Sequence, residues 1–168
     1  PPPVSDADKV AALARLRDPR LRARIADDLG KIGIAGEEKN RLMLYVIFSS
    51  RKLKHPICAI VKGESSAGKS YVMKNVLRLF PAEDIKDFTK VTPQSLFYVQ
   101  ERALSHKILV IHERHGSASG DYSIRSLQSE EKLAINVTTR NPDTGDFESR
   151  QRVVYGPVAY VETTTGLS

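Results

Sequence analysis

A short apolar run, "ICAIV" (57–61), passes through "KGESSAGKS" (62–70) into "YVMKNVLRLFP", where Val72, Val76, Leu77 and Phe80 recur at helical spacing and Pro81 closes the segment. A wholly apolar run of this length has the form of a strand buried on both faces, the condition of a strand inside a parallel sheet. Parallel strands need crossover connections, and here a helix follows the strand directly. Between the two, the spacing GxxxxGK[ST] stands intact as Gly63, Gly68, Lys69 and Ser70. Glycines at those positions let successive backbone N–H groups turn inward around an anion, and the following helix presents its positive end to it. Lys69 supplies a mobile charge to the β and γ phosphates of a nucleotide, and the Ser70 hydroxyl is placed to bind Mg²⁺. The positions expected to touch ATP are Gly63, Glu64, Ser65, Ser66, Ala67, Gly68, Lys69, Ser70 and Tyr71.

The rest of the chain extends the alternation of strands and helices. "VSDADKVAALARLRDPRLRARIADDLGKIGIAGEE" reads as two short helices divided at Asp18-Pro19. Its arginines are interleaved with Asp18, Asp27 and Asp28, so a solvated helix face is preferred to a nucleic-acid contact. "GEEKNRLMLYVIFSSRKL" is a third helix, apolar nearly all round from Leu42 to Phe48 and so expected to pack on more than one side. "KDFTKVT" is a candidate short strand, "PQSLFYVQERAL" a helix with Pro93 in its first turn, and "KILVI" a second buried strand. "DYSIRSLQSEEKL" follows as a helix, "INVTTRNPDTGDFESRQRVVY" as a hairpin around Pro142 and Gly145, and "PVAYVETTT" as a last strand. The expected fold is α/β, with a mainly parallel sheet flanked by helices, a helical segment over residues 1–36, a core over 37–168, and a hairpin inserted before the last strand.

Hydrolysis of a bound nucleotide needs a carboxylate near the γ-phosphate, and the end of a neighbouring buried strand is where to look for it. "KILVIHERHG" offers Glu113 there, as the group that activates water and stands near the metal. His112 precedes it and is read as a polar residue with a partner beside the sheet. His106, His112 and His115 lie close in sequence, but one cysteine and no paired ligand spacing argue against zinc. In "VETTT", Thr164 and then Thr163 are the hydroxyls expected to reach the γ-phosphate or the attacking water. On the hairpin, Arg140 and Arg150 could meet a phosphate backbone, but Asp143, Asp146 and Glu148 sit among them, so nucleic-acid contact and a solvated structural hairpin both stay open.

Composition narrows the class without deciding it. Lys plus Arg 26 against Asp plus Glu 20 gives +6, which favours polyanions but is common. There is no run of about 18 apolar residues to span a bilayer, and Cys58, the one cysteine, lies in the apolar run and is expected to be a buried thiol. A cytoplasmic protein with no membrane contact is the expectation. The opening "PPPV" without an initiator Met suggests part of something longer.

Phosphate loop, helix, strand ending in Glu113, helix, hairpin and strand ending in Thr164 together resemble the core of an AAA+ ATPase. The hairpin is similar to the pre-sensor-1 hairpin of the clade that holds the minichromosome maintenance helicases. "GEEKNRLMLYVIFSSRKLKHPICAIVKGESSAGKS", "HKILVIHERHG", "DYSIRSLQSE" and "GPVAYVETTT" resemble helicase-like modules beside primase domains in phage and mobile-element replication proteins. The resemblance covers roughly residues 30–168. It implies that Gly63 to Ser70 are the Walker A loop, Glu113 the Walker B acid and Thr164 the sensor-1 residue. It further implies a DNA helicase or translocase in replication, a hexameric ring of like subunits, and hairpins that give Arg140 and Arg150 a nucleic-acid contact. His112 stands where the family carries Asp, Thr164 where Asn is common, and the arginine-finger helix and lid would lie past Ser168. Two other readings remain: a non-catalytic AAA+-like nucleotide-binding module, which the His112 departure favours, and a small P-loop kinase, for which no arginine-rich lid is evident.

Overall fold

The computed structural model describes residues 4–33, 36–64, 68–89, 95–112, 118–140 and 145–164. The chain divides into two compact units, Pro1–Met43 and Leu44–Ser168. In the first, α1 (Asp6–Leu16) starts at Ser5, whose side-chain oxygen accepts the Asp8 N–H at 3.1 Å, and α2 is Leu21–Lys31. Asp18 turns the chain between them by accepting the Arg20 N–H at 2.8 Å and pairing with Arg24 at 2.7 Å, while Arg15 pairs with Asp28. These arginines are tied to neighbouring carboxylates, as interleaved charge on a solvated face predicts. No residue of α1 is buried, and α2 buries Leu29.

α3 (Glu38–Ser49) runs across the boundary between the units. Leu44, Ile47 and Phe48 form a buried i, i+3, i+4 stripe, whereas Met43 and Val46 are 61% and 49% exposed. The apolar run expected to pack on more than one side therefore buries a single face, because its residues a turn apart share one side of the cylinder.

The second unit holds β1 (Cys58–Lys62), α4 (Lys69–Leu77), β2 (Ile85–Phe88), β3 (Lys107–Ile111), α5 (Ala118–Ser129), β4 (Lys132–Arg140), β5 (Phe147–Tyr155) and β6 (Val158–Thr164). Four of these strands form a parallel sheet in the order β1-β6-β3-β2, and β4 and β5 form a separate antiparallel ribbon. This is the α/β architecture expected from the alternating pattern. The longest strand of the sheet, β6, lies between two partners and is buried through Thr163.

Side chains alternate across a strand, so each sheet face has its own core. One face joins Leu109, Ile111, Val158 and Tyr160 to Ile124 and Leu127 of α5 and to Leu133 and Val154 of the ribbon. On the other, Ile108, Val110, Ala159 and Val161 are completely buried. The connection from β1 to β2 crosses the sheet in one direction and that from β3 to β6 steps back in the other. Right-handed crossovers then lie on opposite faces, with α4 away from α5. Cys58 is half-buried against the first core, its Sγ 3.8 Å from the Val158 carbonyl, and burial pushes its pKa up.

Residues 95–106 differ from expectation. Instead of a helix, Ser95–Tyr98 makes one 3₁₀ turn and the chain continues in turns to His106. Leu96, Phe97 and Leu104 are buried as a helical stripe would require, but backbone groups pair elsewhere. The Glu101 carbonyl accepts the Tyr155 N–H at 2.8 Å, and the His106 N–H donates to the Pro157 carbonyl at 2.7 Å. Main-chain bonds to the ribbon and to the entry of β6 replace the i to i−4 ladder. Among the described residues no helix is long and apolar enough to cross a membrane.

Candidate functional site

All four strands of the sheet run the same way, so their carboxyl ends share one edge. β1 ends at Lys62, which is paired with Thr164, the last residue of β6. Val61 is paired with Thr163, and Ile111 at the end of β3 with Glu162. The "GESSAGKS" loop therefore begins one residue past a position in register with Thr164. In open α/β sheets, ligands sit outside the carboxyl ends, where neighbouring connections depart to opposite faces. Here β1, which leads to α4, and β3, which leads to α5, flank β6 and its last residue Thr164.

Within the loop, Gly68 occupies the cap position of α4 with φ 72°, a left-handed conformation that costs glycine little and other residues more. Its carbonyl accepts the Val72 N–H at 3.0 Å, which starts the helix. Lys69 folds back over the loop, and its Nζ donates to the Gly63 carbonyl at 2.6 Å and to the Glu64 carbonyl. A Cβ on Gly63 would lie 3.3 Å from Lys69 Cδ, so this glycine leaves the room in which the lysine stem lies. Ser70 is exposed in the first turn of α4, and Tyr71 beside it is 58% exposed. The loop thus brings a flexible ammonium, an exposed hydroxyl and a helix start together. Ser65, Ser66 and Ala67 lie outside the described residues.

At the end of β3 the His112 N–H donates to the Phe88 carbonyl at 3.0 Å, continuing the parallel pairing with β2. The His112 imidazole is 2.8 Å from Asp87 through Nε2, and its side chain is 12% exposed. A carboxylate only accepts, so Nε2 carries the proton and the ring is held in one orientation. His112 is thus a polar residue with a fixed partner, as expected from its position. Glu113, the next residue, lies outside the described residues. Thr163 is buried and Thr164 half-buried at the end of the central strand.

Glu162 was not singled out from the sequence. It is a carboxylate 5% exposed on β6, with the Tyr160 hydroxyl donating to its Oε2. The signal available was a lone charge inside an otherwise uncharged run, "VAYVETT", which marks a residue needing a partner. Glu162 and Thr164 share a face by the period of two, so the buried acid stands behind the threonine at this edge.

The ribbon separates two residues that sequence spacing groups together. Arg140 is paired with Phe147, and Arg150 with Val137. Because the side-chain period is two, Phe147, Ser149 and Gln151 share the face of Arg140, while Arg150 lies on the opposite one. Arg140 Nε donates to the Gly145 carbonyl at 2.9 Å. Arg152 lies over the Tyr98 ring at 5.3 Å, and Arg102 over Tyr155 at 5.4 Å.

No known protein family matches the chain, and no curated protein matches it either. What the fold and site define is the class: an α/β unit with a GxxxxGKS loop at the carboxyl edge of a parallel sheet.

Proposed function

We propose that this chain is the ATP-binding and ATP-hydrolysing part of a motor acting on nucleic acid, an AAA+-type P-loop core of a DNA helicase or translocase in replication. One observation carries the reading. A strand–GxxxxGKS–helix unit opens at the edge where a parallel neighbour ends in Thr164, with the strand that precedes Glu113 next to it. Lys69 charges the β and γ phosphates, Glu113 orients the attacking water, and Thr164 contacts the γ-phosphate. Among the described residues no three His, Cys, Asp or Glu converge on one point. Ser70, Glu113, the phosphates and waters are the oxygen donors that would hold Mg²⁺, which prefers such a set. The β4–β5 ribbon is the contact to DNA, and the working form of the full-length protein is a homo-oligomeric ring.

The test is binding of a fluorescent ATP analogue with Mg²⁺, with phosphate release measured with and without single-stranded DNA. Lys69→Ala should abolish binding, and Glu113→Gln should keep binding while lowering turnover by about 100-fold, at the low end of the range for acid–base groups. Lys69→Ala binding as tightly as the parent would sink the proposal. A second reading is favoured by the Asp87-bound His112 in place of a carboxylate: a nucleotide-binding module without turnover. It predicts the same loss in Lys69→Ala but no measurable release in the parent.

A further inference from the structure

The outer face of the β4–β5 ribbon is an exposed polar surface. Across the two strands it pairs Asn136 with Gln151, Thr138 with Ser149 and Arg140 with Phe147. All six are exposed. The opposite face carries Leu133 and Val154 into the core, which fixes which side of the ribbon meets solvent. In a chain with 20 acidic residues, this run of three pairs holds a guanidinium, two carboxamides and two hydroxyls and no carboxylate. Phe147 is 77% exposed, the highest value among the large apolar residues described.

We infer that this outer face is a binding surface for single-stranded nucleic acid, with the Phe147 ring stacking on an unpaired base and Arg140 meeting the phosphate beside it. The inference rests on the nucleic-acid part of the proposed function and goes beyond it, by choosing one face of the ribbon and one form of nucleic acid. An aromatic ring stacks on any base whose face is open, and a duplex hides those faces. Amide and hydroxyl side chains donate to phosphate and sugar oxygens without repelling them, whereas a carboxylate would. The ribbon is suited to hold such a platform. Its base is fixed by Leu133 and Val154, by the Tyr155 N–H on the Glu101 carbonyl and by the stacking of Arg102 on Tyr155, while Phe147 stands at the far end. The Arg140 side chain is oriented by its bond to the Gly145 carbonyl, next to the strand that carries the ring. A protein partner would call for several apolar anchors on this face, and Phe147 is the only large apolar side chain among the three pairs.

Fluorescence anisotropy with labelled oligothymidylate, an abasic strand of equal length and a duplex tests this, with salt titrations on each. The parent should bind oligothymidylate more tightly than either of the others. Phe147→Ala should weaken oligothymidylate binding by about tenfold without changing its salt dependence, because a stacked base and no phosphate contact is lost. Phe147→Trp should restore it. Arg140→Ala should reduce the logarithmic salt slope by about 0.7, and Arg150→Ala, on the inner face, should leave it unchanged. Equal binding by Phe147→Ala and the parent, or a slope that depends on Arg150 and not on Arg140, overturns this inference alone. A parent chain that binds none of the three strands overturns it together with the nucleic-acid part of the proposed function.

Discussion

Asp84 lies just before β2 with three cations on its carboxylate: Lys107 at 2.8 Å, Arg51 at 2.9 Å and Lys52 at 3.0 Å. Burial on its own would raise its pKa, but the bonds from Lys107, Arg51 and Lys52 outweigh it and hold the group well below the usual carboxylate range. A pKa depressed on folding contributes stability that is complete above the unfolded value, about 3.9, and is lost as pH falls through the folded one. Asp84→Asn should therefore unfold more easily at neutral pH by about 3 kcal/mol, since removing one partner of a buried set leaves the cations facing one another. It should also flatten the acid limb of the stability curve below pH about 4, where Asp84 takes up a proton in the unfolded chain of the parent while the folded carboxylate stays ionised. Urea melts at neutral and acid pH measure both. An acid limb as steep in the variant as in the parent would show that other carboxylates govern it. This cluster was not legible in the sequence, because Arg51, Lys52 and Lys107 come from segments that only the fold brings to one point.

Among the elements, the strand–loop–helix unit depends most on one backbone conformation. Gly68→Ala would put a Cβ at φ 72°, where nothing crowds it within 4 Å but the backbone is strained. The cost should be about 1–2 kcal/mol, read as a fall of roughly 2–8 °C in melting temperature, and the proposed nucleotide affinity should fall with it because the chain turns into α4 at this residue. Stability and affinity both unchanged would mean that the left-handed turn is not required. The unit was legible beforehand because its parts are local: an apolar strand, spaced glycines and a periodic helix all lie within 57–81. β3 and β6 were legible for the same reason, as continuous apolar runs long enough for strands and too short for helices. Residues 95–106 were not, since Leu96, Phe97 and Leu104 satisfy a helical spacing while their main chain bonds to distant residues. Nor could spacing assign Arg140 and Arg150 to faces. Register across a hairpin is set by its turn, and a shift of one residue exchanges the faces.

At the scale of the molecule, the second unit has a core that runs without a break from the sheet through α5 into the ribbon. Ile111 and Tyr160 lie in the same cluster as Ile124 and Leu127, and these with Leu133 and Val154. The edge that carries the candidate nucleotide site and the ribbon that carries Arg140 and Phe147 are thus parts of one packed body. Interiors of this kind transmit displacement because they are close-packed. Leu127, 1% exposed in this cluster, is the place to test the connection. Leu127→Ala should cost about 3 kcal/mol through the cavity it leaves. If the cluster is one cooperative unit, hydrogen exchange at the amides of β3 and at the base of β4 and β5 should accelerate by the same factor, close to 100-fold for that loss of stability. Acceleration confined to the ribbon would make it an appendage that unfolds alone. It could then signal to the candidate nucleotide edge only through partners, whereas equal acceleration leaves the core itself as the route by which the proposed strand binding on the ribbon and the proposed phosphate binding at Lys69 would influence each other.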